Sequence, residues 1–99
     1  MKITWSPLAI DQARDIASYI ALDKSRAAEE WIDDIFSSVE QLIEFPYSGQ
    51  IVPEISRGEI RELIQGSYRV IYKVQDTKIL VLLVKNYRQK LKVTEFQTA

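Results

Sequence analysis

The first half of the chain repeats its apolar residues every three to four positions, which is the spacing of amphipathic helices. Ser6-Pro7 is a typical helix start, because serine caps the first turn and proline there loses no needed hydrogen bond. A break at residues 23–25 precedes a second periodic stretch, which ends before Pro46. The apolar positions are Ala9, Ala13, Ile16, Ala17 and Ile20, then Ala28, Trp31, Ile32, Ile35, Val39, Leu42 and Ile43. The short break predicts an antiparallel helical hairpin.

From residue 60 onward the spacing changes to every second position, which is typical of β-strands. Residues 60–64 and 68–74 predict two strands joined by a tight turn at Gly66-Ser67. Residues 79–85 are apolar on both faces and predict an interior strand. Residues 2–5 predict a short extended start, whereas residues 50–57, interrupted by a proline, fit either a strand or a loop.

These elements predict one domain over residues 1–99, of the α+β class, with two N-terminal antiparallel helices on one face of a small antiparallel sheet. The face expected beneath the helices carries Tyr68, Val70, Tyr72 and Val74. Arg69 and Lys73 then point outward from the face that no helix covers. Arg61 joins them only if the strand register allows it, and the sequence leaves that register open.

The composition excludes several kinds of chemistry. The 99 residues include no cysteine and no histidine, which rules out disulfides, thiol nucleophiles, Ser-His pairs and Cys- or His-ligated zinc. We expect no metal or cofactor, and acid–base chemistry has only Asp, Glu, Tyr, Lys and Arg to use. No apolar run approaches the roughly 20 residues of a membrane helix, and the first residues do not resemble a signal peptide. A cytoplasmic protein without a membrane partner is expected.

Charge is unevenly distributed, although the net charge is only −1. Residues 1–49 carry four basic and nine acidic side chains, and residues 50–99 carry nine basic and five acidic ones, so the two halves have charges of −5 and +4. Lys85, Arg88, Lys90 and Lys92 follow one another without an acidic residue. Contact with a polyanion therefore belongs to the C-terminal half, although lysine and arginine are also ordinary residues of a solvent-facing strand.

Several short motifs follow one another in a specific order along nearly the whole chain. They are Trp5-Ser6-Pro7, Ala9, Ile16, Tyr19-Ile20, Ala27-Ala28, Phe45-Pro46, Gly49, Val52-Pro53-Glu54, Ile60-Arg61-Glu62-Leu63, Gly66, Tyr68-Arg69-Val70-Ile71-Tyr72 and Arg88. Each is weak alone, but together they resemble the RelE/ParE superfamily, the toxin halves of bacterial type II toxin–antitoxin modules. The resemblance implies the same helix-and-sheet fold, a growth-inhibiting activity and a cognate antitoxin as partner.

The superfamily divides by target, and the resemblance leaves both targets open. One branch cleaves mRNA on the ribosome and the other inhibits DNA gyrase. For the nuclease branch, Arg69 matches the strand arginine that contacts the scissile phosphate, and Glu54 matches a glutamate base. Arg61 lies near a basic position before the hairpin, Tyr87 falls where a general acid occurs, and Arg88 matches the residue after the last strand. These five residues are the candidate catalytic set for a metal-independent endoribonuclease.

Two departures weigh against the nuclease. Ile60 and Glu62 stand where some nuclease members carry lysines, and the chain is net acidic although binding through many phosphates requires a basic surface. The residues also permit structural explanations, namely Glu54 as a loop carboxylate paired with Arg57 or Arg61, and Tyr87 as a partly buried ring at a strand end. A non-toxic or decayed interaction module of the same fold is the alternative from another class.

The antitoxin is the partner common to both branches. A sheet edge and an apolar groove beside two helices suit a disordered segment that folds on binding. We expect that segment to be acidic where it covers Arg61, Arg69 and Arg88.

Overall fold

The computed structural model describes residues 1–88, so Lys90 and Lys92 lie outside the described residues. The elements in chain order are β1 Lys2–Trp5, α1 Pro7–Ala21, α2 Ser25–Glu40, a 3-10 turn Gln41–Ile43, β2 Gln50–Ile51, β3 Ile60–Gln65, β4 Tyr68–Val74 and β5 Lys78–Asn86. Two helices followed by a sheet confirm the predicted α+β class. Within the described residues, no helix is both long and apolar enough to cross a lipid bilayer.

The sheet has five strands in the order β1-β5-β4-β3-β2. Strands β2 to β5 pair antiparallel, whereas β1 pairs parallel with β5. The sheet is therefore mixed: the predicted antiparallel pairing holds for β2 to β5, and β1, which the sequence indicated only as a short extended start, adds a parallel edge strand. The reason is the helical hairpin, which follows β1 at one edge of the sheet and leads to β2 at the other, so β5 can return beside β1 in the same direction.

Ser6 begins α1 as predicted and also joins the helix to the sheet. The backbone N–H of Ala9 donates to Ser6 Oγ at 3.0 Å, and Ser6 Oγ donates to the carbonyl oxygen of Leu82 at 3.0 Å. α2 begins at Ser25, also close to the prediction, but its N-cap residue Lys24 makes no side-chain capping bond. Packing rather than capping therefore fixes the start of α2.

The helices pack on one face of the sheet and form the larger apolar core. Its buried members are Ala9, Ile35, Val39, Leu42, Val70, Tyr72, Val74, Ile79, Val81 and Val84. Tyr68 also faces the helices, since its ring meets Trp31 edge-on with centroids 5.3 Å apart. The predicted inward face of β4 is thus confirmed.

A smaller apolar cluster lies on the opposite face, and we call it the loop-side cluster. Its buried members are Val52, Ile60, Ile71, Leu82 and Leu83. A register shift makes it possible: Ile71 pairs with Leu83 but Tyr72 pairs with Val81, so Leu82 is an extra residue. This bulge lets two consecutive leucines join one cluster, and Ser6 satisfies the carbonyl of the extra residue.

Candidate functional site

Arg69 lies on the sheet face without helices, as predicted, but its side chain is not open to solvent. It pairs with Ile64 on β3 and with Lys85 on β5, and only 5% of the residue is exposed. The turn that follows β2 carries Glu54 against the Arg69 guanidinium. The prediction of an outward-looking, solvated arginine is wrong, because a loop covers the face that the helices leave uncovered.

Two carboxylates share the Arg69 guanidinium, and we call these three residues the Arg69 triad. Glu54 binds in a two-pronged arrangement, with Nη1 to Oε2 at 2.8 Å and Nη2 to Oε1 at 3.0 Å. Glu62 accepts from Nη2 at 2.5 Å. The side chain of Glu62 is 4% exposed and that of Glu54 is 25% exposed. Glu54 is therefore the solvent-side partner and Glu62 the interior one.

The Arg69 triad contains one positive and two negative charges, so its net charge is −1. The hydrogen bonds to Glu54 raise the pKa of the Arg69 guanidinium above its usual value; burial acts against this, and Glu62 raises that pKa further. Arg69 Nε has no hydrogen-bond partner and is buried. The amide of Gln50 donates to Glu62 Oε1 at 3.3 Å. The cation is thus held permanently and neutralised within the protein.

Arg61 does not join Arg69. The strand pairing places Arg61 opposite Tyr72 and Gln65 opposite Tyr68, so Arg61 shares the face of Tyr72 while Glu62 shares the face of Arg69. The register that the sequence left open therefore separates the two arginines, because the two-residue turn between β3 and β4 places them on opposite faces of the sheet.

Arg61 instead joins two loops. Its Nε donates to the carbonyl oxygen of Gly58 at 2.9 Å and its Nη1 to that of Gly49 at 3.1 Å. The guanidinium also lies 5.2 Å from the centre of the Tyr47 ring, in a cation–π contact. These contacts give Arg61 a structural role, because they hold the segment before β2 and the loop at Gly58 together.

Tyr72 anchors the same segment from the core. Its hydroxyl donates to the carbonyl oxygen of Pro46 at 2.9 Å and accepts from the N–H of Gly49 at 3.0 Å. Burial raises the pKa of Tyr72, and the bond from Gly49 and the charge of Arg61 partly oppose that rise. A Cβ atom at Gly49 would lie 2.5 Å from the Tyr72 hydroxyl and 2.6 Å from the carbonyl oxygen of Glu62. Only glycine fits this close approach.

Tyr87 and Arg88 lie after β5, beside the β3–β4 turn. The N–H of Tyr87 donates to the carbonyl oxygen of Ser67 at 2.9 Å, and the Arg88 guanidinium stacks 5.7 Å from the Tyr87 ring centre. Tyr87 is 46% exposed, which fits the alternative of a partly buried ring at a strand end. The N–H of Arg88 donates to Asn86 Oδ1 at 3.0 Å, and Arg88 Nε donates to the Tyr87 hydroxyl at 3.4 Å.

Of the five candidate catalytic residues, the structure brings Glu54 and Arg69 together and leaves Arg61 apart from them. It also adds Glu62, which the sequence analysis treated only as a departure from a lysine position. Glu62 sits opposite Ile71, and Arg69 is its diagonal neighbour on the next strand. The available signal was that Glu62 shares its strand face with Ile60 and Ile64, because a carboxylate buried among apolar residues requires a cation.

The geometry limits what this site can do chemically. A carboxylate already bound by an arginine fork is a weakened base, and an arginine occupied by two carboxylates has no free fork for a phosphate. Among the described residues, no group of three or more acidic side chains is placed to hold a metal ion. The site has the features of a structural ion-pair network that fastens a loop.

Comparisons with known proteins give a family match and a structural likeness. The model of the family described as ParE toxin of type II toxin-antitoxin system, parDE, matches residues 3–91. A solved structure of a chromosomal ParDE toxin–antitoxin system from P. aeruginosa includes a chain with a TM-score of 0.69 and 20% identity, covering 87% of this chain and 95% of that one. At that identity the likeness shows the fold alone. No curated protein matches this sequence.

Proposed function

The chain belongs to the ParE toxin family of type II toxin–antitoxin systems, since the family model matches residues 3–91, and from this premise we propose that it inhibits bacterial growth by acting on DNA gyrase. A cognate antitoxin neutralises it. The chain carries out no RNA cleavage. In the superfamily that the sequence resembles, gyrase is the target of the branch that has no nuclease site.

The observation that carries the choice of target is the Arg69 triad. RNA cleavage needs a cation that is free to bind the phosphate as its negative charge develops. Arg69 is buried and neutralised by Glu54 and Glu62, so a phosphate would have to displace a two-pronged carboxylate and leave Glu62 beside it.

The other candidate residues support the same conclusion. Arg61 is engaged by Gly49, Gly58 and the Tyr47 ring, on the opposite face of the sheet from Arg69. Tyr87, the candidate general acid, bonds to the β3–β4 turn. Catalysis by these groups requires all of them to contact one phosphate. Their contacts instead lie with different loops and turns, which supports a structural role for each.

One observation favours the nuclease as the second candidate, namely that Glu54 and Arg69 are neighbours as the resemblance implies. Two measurements after induction of the chain in bacteria separate the candidates. Mapping of mRNA 5′ ends on translating ribosomes is expected to show no new cleavage sites, and a supercoiling assay with purified chain and gyrase is expected to show inhibition. New cleavage sites with normal supercoiling would assign the nuclease instead.

Tyr87→Phe provides a control for either outcome. The ring is exposed, so removal of its hydroxyl leaves the fold intact, and a nuclease that uses it as general acid loses about 100-fold or more in cleavage. We expect unchanged growth inhibition by Tyr87→Phe. A folded wild-type chain that leaves growth unaffected would contradict both toxin candidates and favour the non-toxic interaction module.

A further inference from the structure

The outer edge of β2 is one end of the sheet, and exposed side chains surround it. β2 is the last strand in the sheet order and, within residues 1–88, it pairs only with β3. Both of its residues, Gln50 and Ile51, are exposed, as is Tyr47 on the loop before the strand. An edge strand presents unpaired backbone N–H and C=O groups. This edge is therefore available to a further strand through its main chain.

Arg61 supplies a fixed positive charge beside this edge. It lies opposite Ile51 across the two strands, so the two side chains share one face of the sheet. The carbonyl oxygens of Gly49 and Gly58 and the ring of Tyr47 hold its guanidinium in place. In the part of the chain that the structure describes, Arg61 forms no salt bridge and its Nη2 makes no hydrogen bond. The cation is therefore already oriented, and a carboxylate that binds it pays little ordering entropy.

The surroundings of Arg61 decide which kind of partner this edge suits. Arg57 is engaged by Glu59, and Arg69 is neutralised on the other face of the sheet. Nucleic acid binds through several phosphates and draws on several cations, which this edge does not offer. A second copy of the chain would bring the same positive surface against itself about a twofold axis. A single carboxylate carried by an extended peptide segment fits one fixed cation beside an open strand edge.

We propose that the edge of β2 binds an extended acidic segment of a partner protein, which adds a further strand to the sheet. Main-chain hydrogen bonds to β2 hold the segment. An aspartate or glutamate side chain of the segment accepts from Arg61, and an apolar side chain two residues away on the same face packs on Tyr47 and Ile51. The inference goes beyond the proposed function, because gyrase inhibition assigns no role to this edge.

Three designed peptides of about ten residues, a usual strand length, test the proposal with the purified chain. The first has valine on the same face as a central glutamate and threonine on the other face. The second has lysine in place of the glutamate, and the third is the glutamate peptide with two consecutive central amides N-methylated. Fluorescence anisotropy measures the dissociation constant of each peptide.

The glutamate peptide is expected to bind most tightly. We expect the lysine peptide to bind at least about tenfold more weakly at low salt, with the difference narrowing at high salt because Arg61 is partly exposed. N-methylation removes one hydrogen-bond donor from each edge of the peptide, so a loss of about tenfold or more is expected there as well.

Arg61→Gln and Arg26→Gln form a matched pair of charge removals. Arg26 is an exposed arginine on α2. Arg61→Gln is expected to weaken the glutamate peptide by about tenfold, and Arg26→Gln by less than about twofold. Amide spectra of the nitrogen-15-labelled wild-type chain locate the site without any substitution. The glutamate peptide is expected to shift the signals of β2 and to leave those of β1, the opposite sheet edge, unchanged.

Four outcomes would overturn the proposal. They are no binding of the glutamate peptide, equal binding of the glutamate and lysine peptides, undiminished binding of the N-methylated peptide, and amide shifts at β1 instead of β2. A dimer of the free chain that the glutamate peptide cannot dissociate would assign the edge to a second copy and overturn it too. Supercoiling by gyrase is assayed separately, so a failure of the proposed function is distinguishable from a failure here.

Discussion

The two faces of the sheet are stabilised by different interactions. The helix side buries ten apolar or aromatic residues between the helices and the sheet, and the Tyr72 hydroxyl in this core bonds to a loop. The loop side buries five apolar residues and depends on the Arg69 triad to hold the turn after β2 in place. Apolar burial tolerates small changes, whereas a buried ion network fails when one member is lost. The residues that resembled a catalytic site lie in the second kind of structure.

Arg69→Ala has the largest expected effect on this contrast. It leaves Glu62 buried without a cation, and loss of one partner of a buried pair costs about 3–5 kcal/mol. Urea unfolding followed by circular dichroism measures the loss. Arg88→Ala is the control, because Arg88 is exposed and a surface substitution changes stability by less than about 0.5 kcal/mol.

The double variant Arg69→Met with Glu62→Leu separates the network from packing. Replacing buried charges by apolar groups of similar size is often neutral or stabilising, so most of the stability lost in Arg69→Ala is expected to return. If the double variant were as unstable as Arg69→Ala, the loop side would depend on shape rather than charge, and the contrast between the two faces would disappear.

Gly49→Ala tests the end of the helix side, where Tyr72 meets the loop. The added methyl group would lie within 2.6 Å of both the Tyr72 hydroxyl and the backbone oxygen of Glu62, and the backbone has little room to move. We expect a destabilisation of about 3 kcal/mol, at the upper end of overpacking. Gly58→Ala is the matched control, since nothing lies within 4 Å of its Cβ position. Equal unfolding midpoints for the two variants would contradict the close approach.

Tyr72→Phe removes the polar contact while keeping the ring. The N–H of Gly49 and the carbonyl of Pro46 lose their partner, so a loss of about 1–2 kcal/mol at neutral pH is expected from urea unfolding. Because the pKa of Tyr72 is raised in the folded state, its linkage contribution is complete below the unfolded pKa near 10 and declines as pH rises through the folded value. The stability difference between wild type and variant is therefore expected to narrow above about pH 10. A constant difference from pH 8 to pH 11 would show that the hydroxyl is not coupled to folding.

The sequence was informative where one local rule decided the outcome. Ser6-Pro7 predicted the start of α1, and the alternation around Val70 predicted which face of β4 meets the helices. Local sequence rules could not predict which face of the sheet carries Arg61, because a shift of one residue in strand register moves every side chain to the other face. The bulge at Leu82 likewise arises from pairing between strands rather than from either strand alone.

Two members of the Arg69 triad were predictable from the sequence, but the third member, Glu62, and the buried state of Arg69 were not. Glu54 and Arg69 were identified through the motifs they belong to, and they do meet. Arg69 was expected to face solvent because two facts cannot be read from the sequence. The turn after β2 folds back over the sheet, and Glu62 lies diagonally across from Arg69 on the neighbouring strand. An arginine with two carboxylate partners on a neighbouring strand and loop cannot be distinguished by sequence from an arginine with none.

Glu59→Gln has the smallest expected effect on stability. Glu59 forms an ion pair with Arg57 at the far end of the same loop, and both side chains of this pair are partly exposed to solvent, unlike Arg69 and Glu62. The pKa of Glu59 is lowered, chiefly by a backbone hydrogen bond and also by the charges of Arg57 and Lys73. A carboxylate with a lowered folded pKa stabilises the protein above its ordinary value of 4.5, and this contribution is lost as pH falls through the folded value.

We therefore expect the urea midpoint of Glu59→Gln to lie slightly below wild type at pH 6 and to meet it at pH 3. Glu40→Gln is the control, being an exposed glutamate outside this loop. Exposed ion pairs contribute little because water competes for both charges, so a Glu59 effect as large as that of Arg69→Ala would show that the whole loop, and not its buried end, is fastened by charge. A small effect that is present at pH 6 and lost in the acid range would place the fastening at the Arg69 triad, where burial removes the competing water.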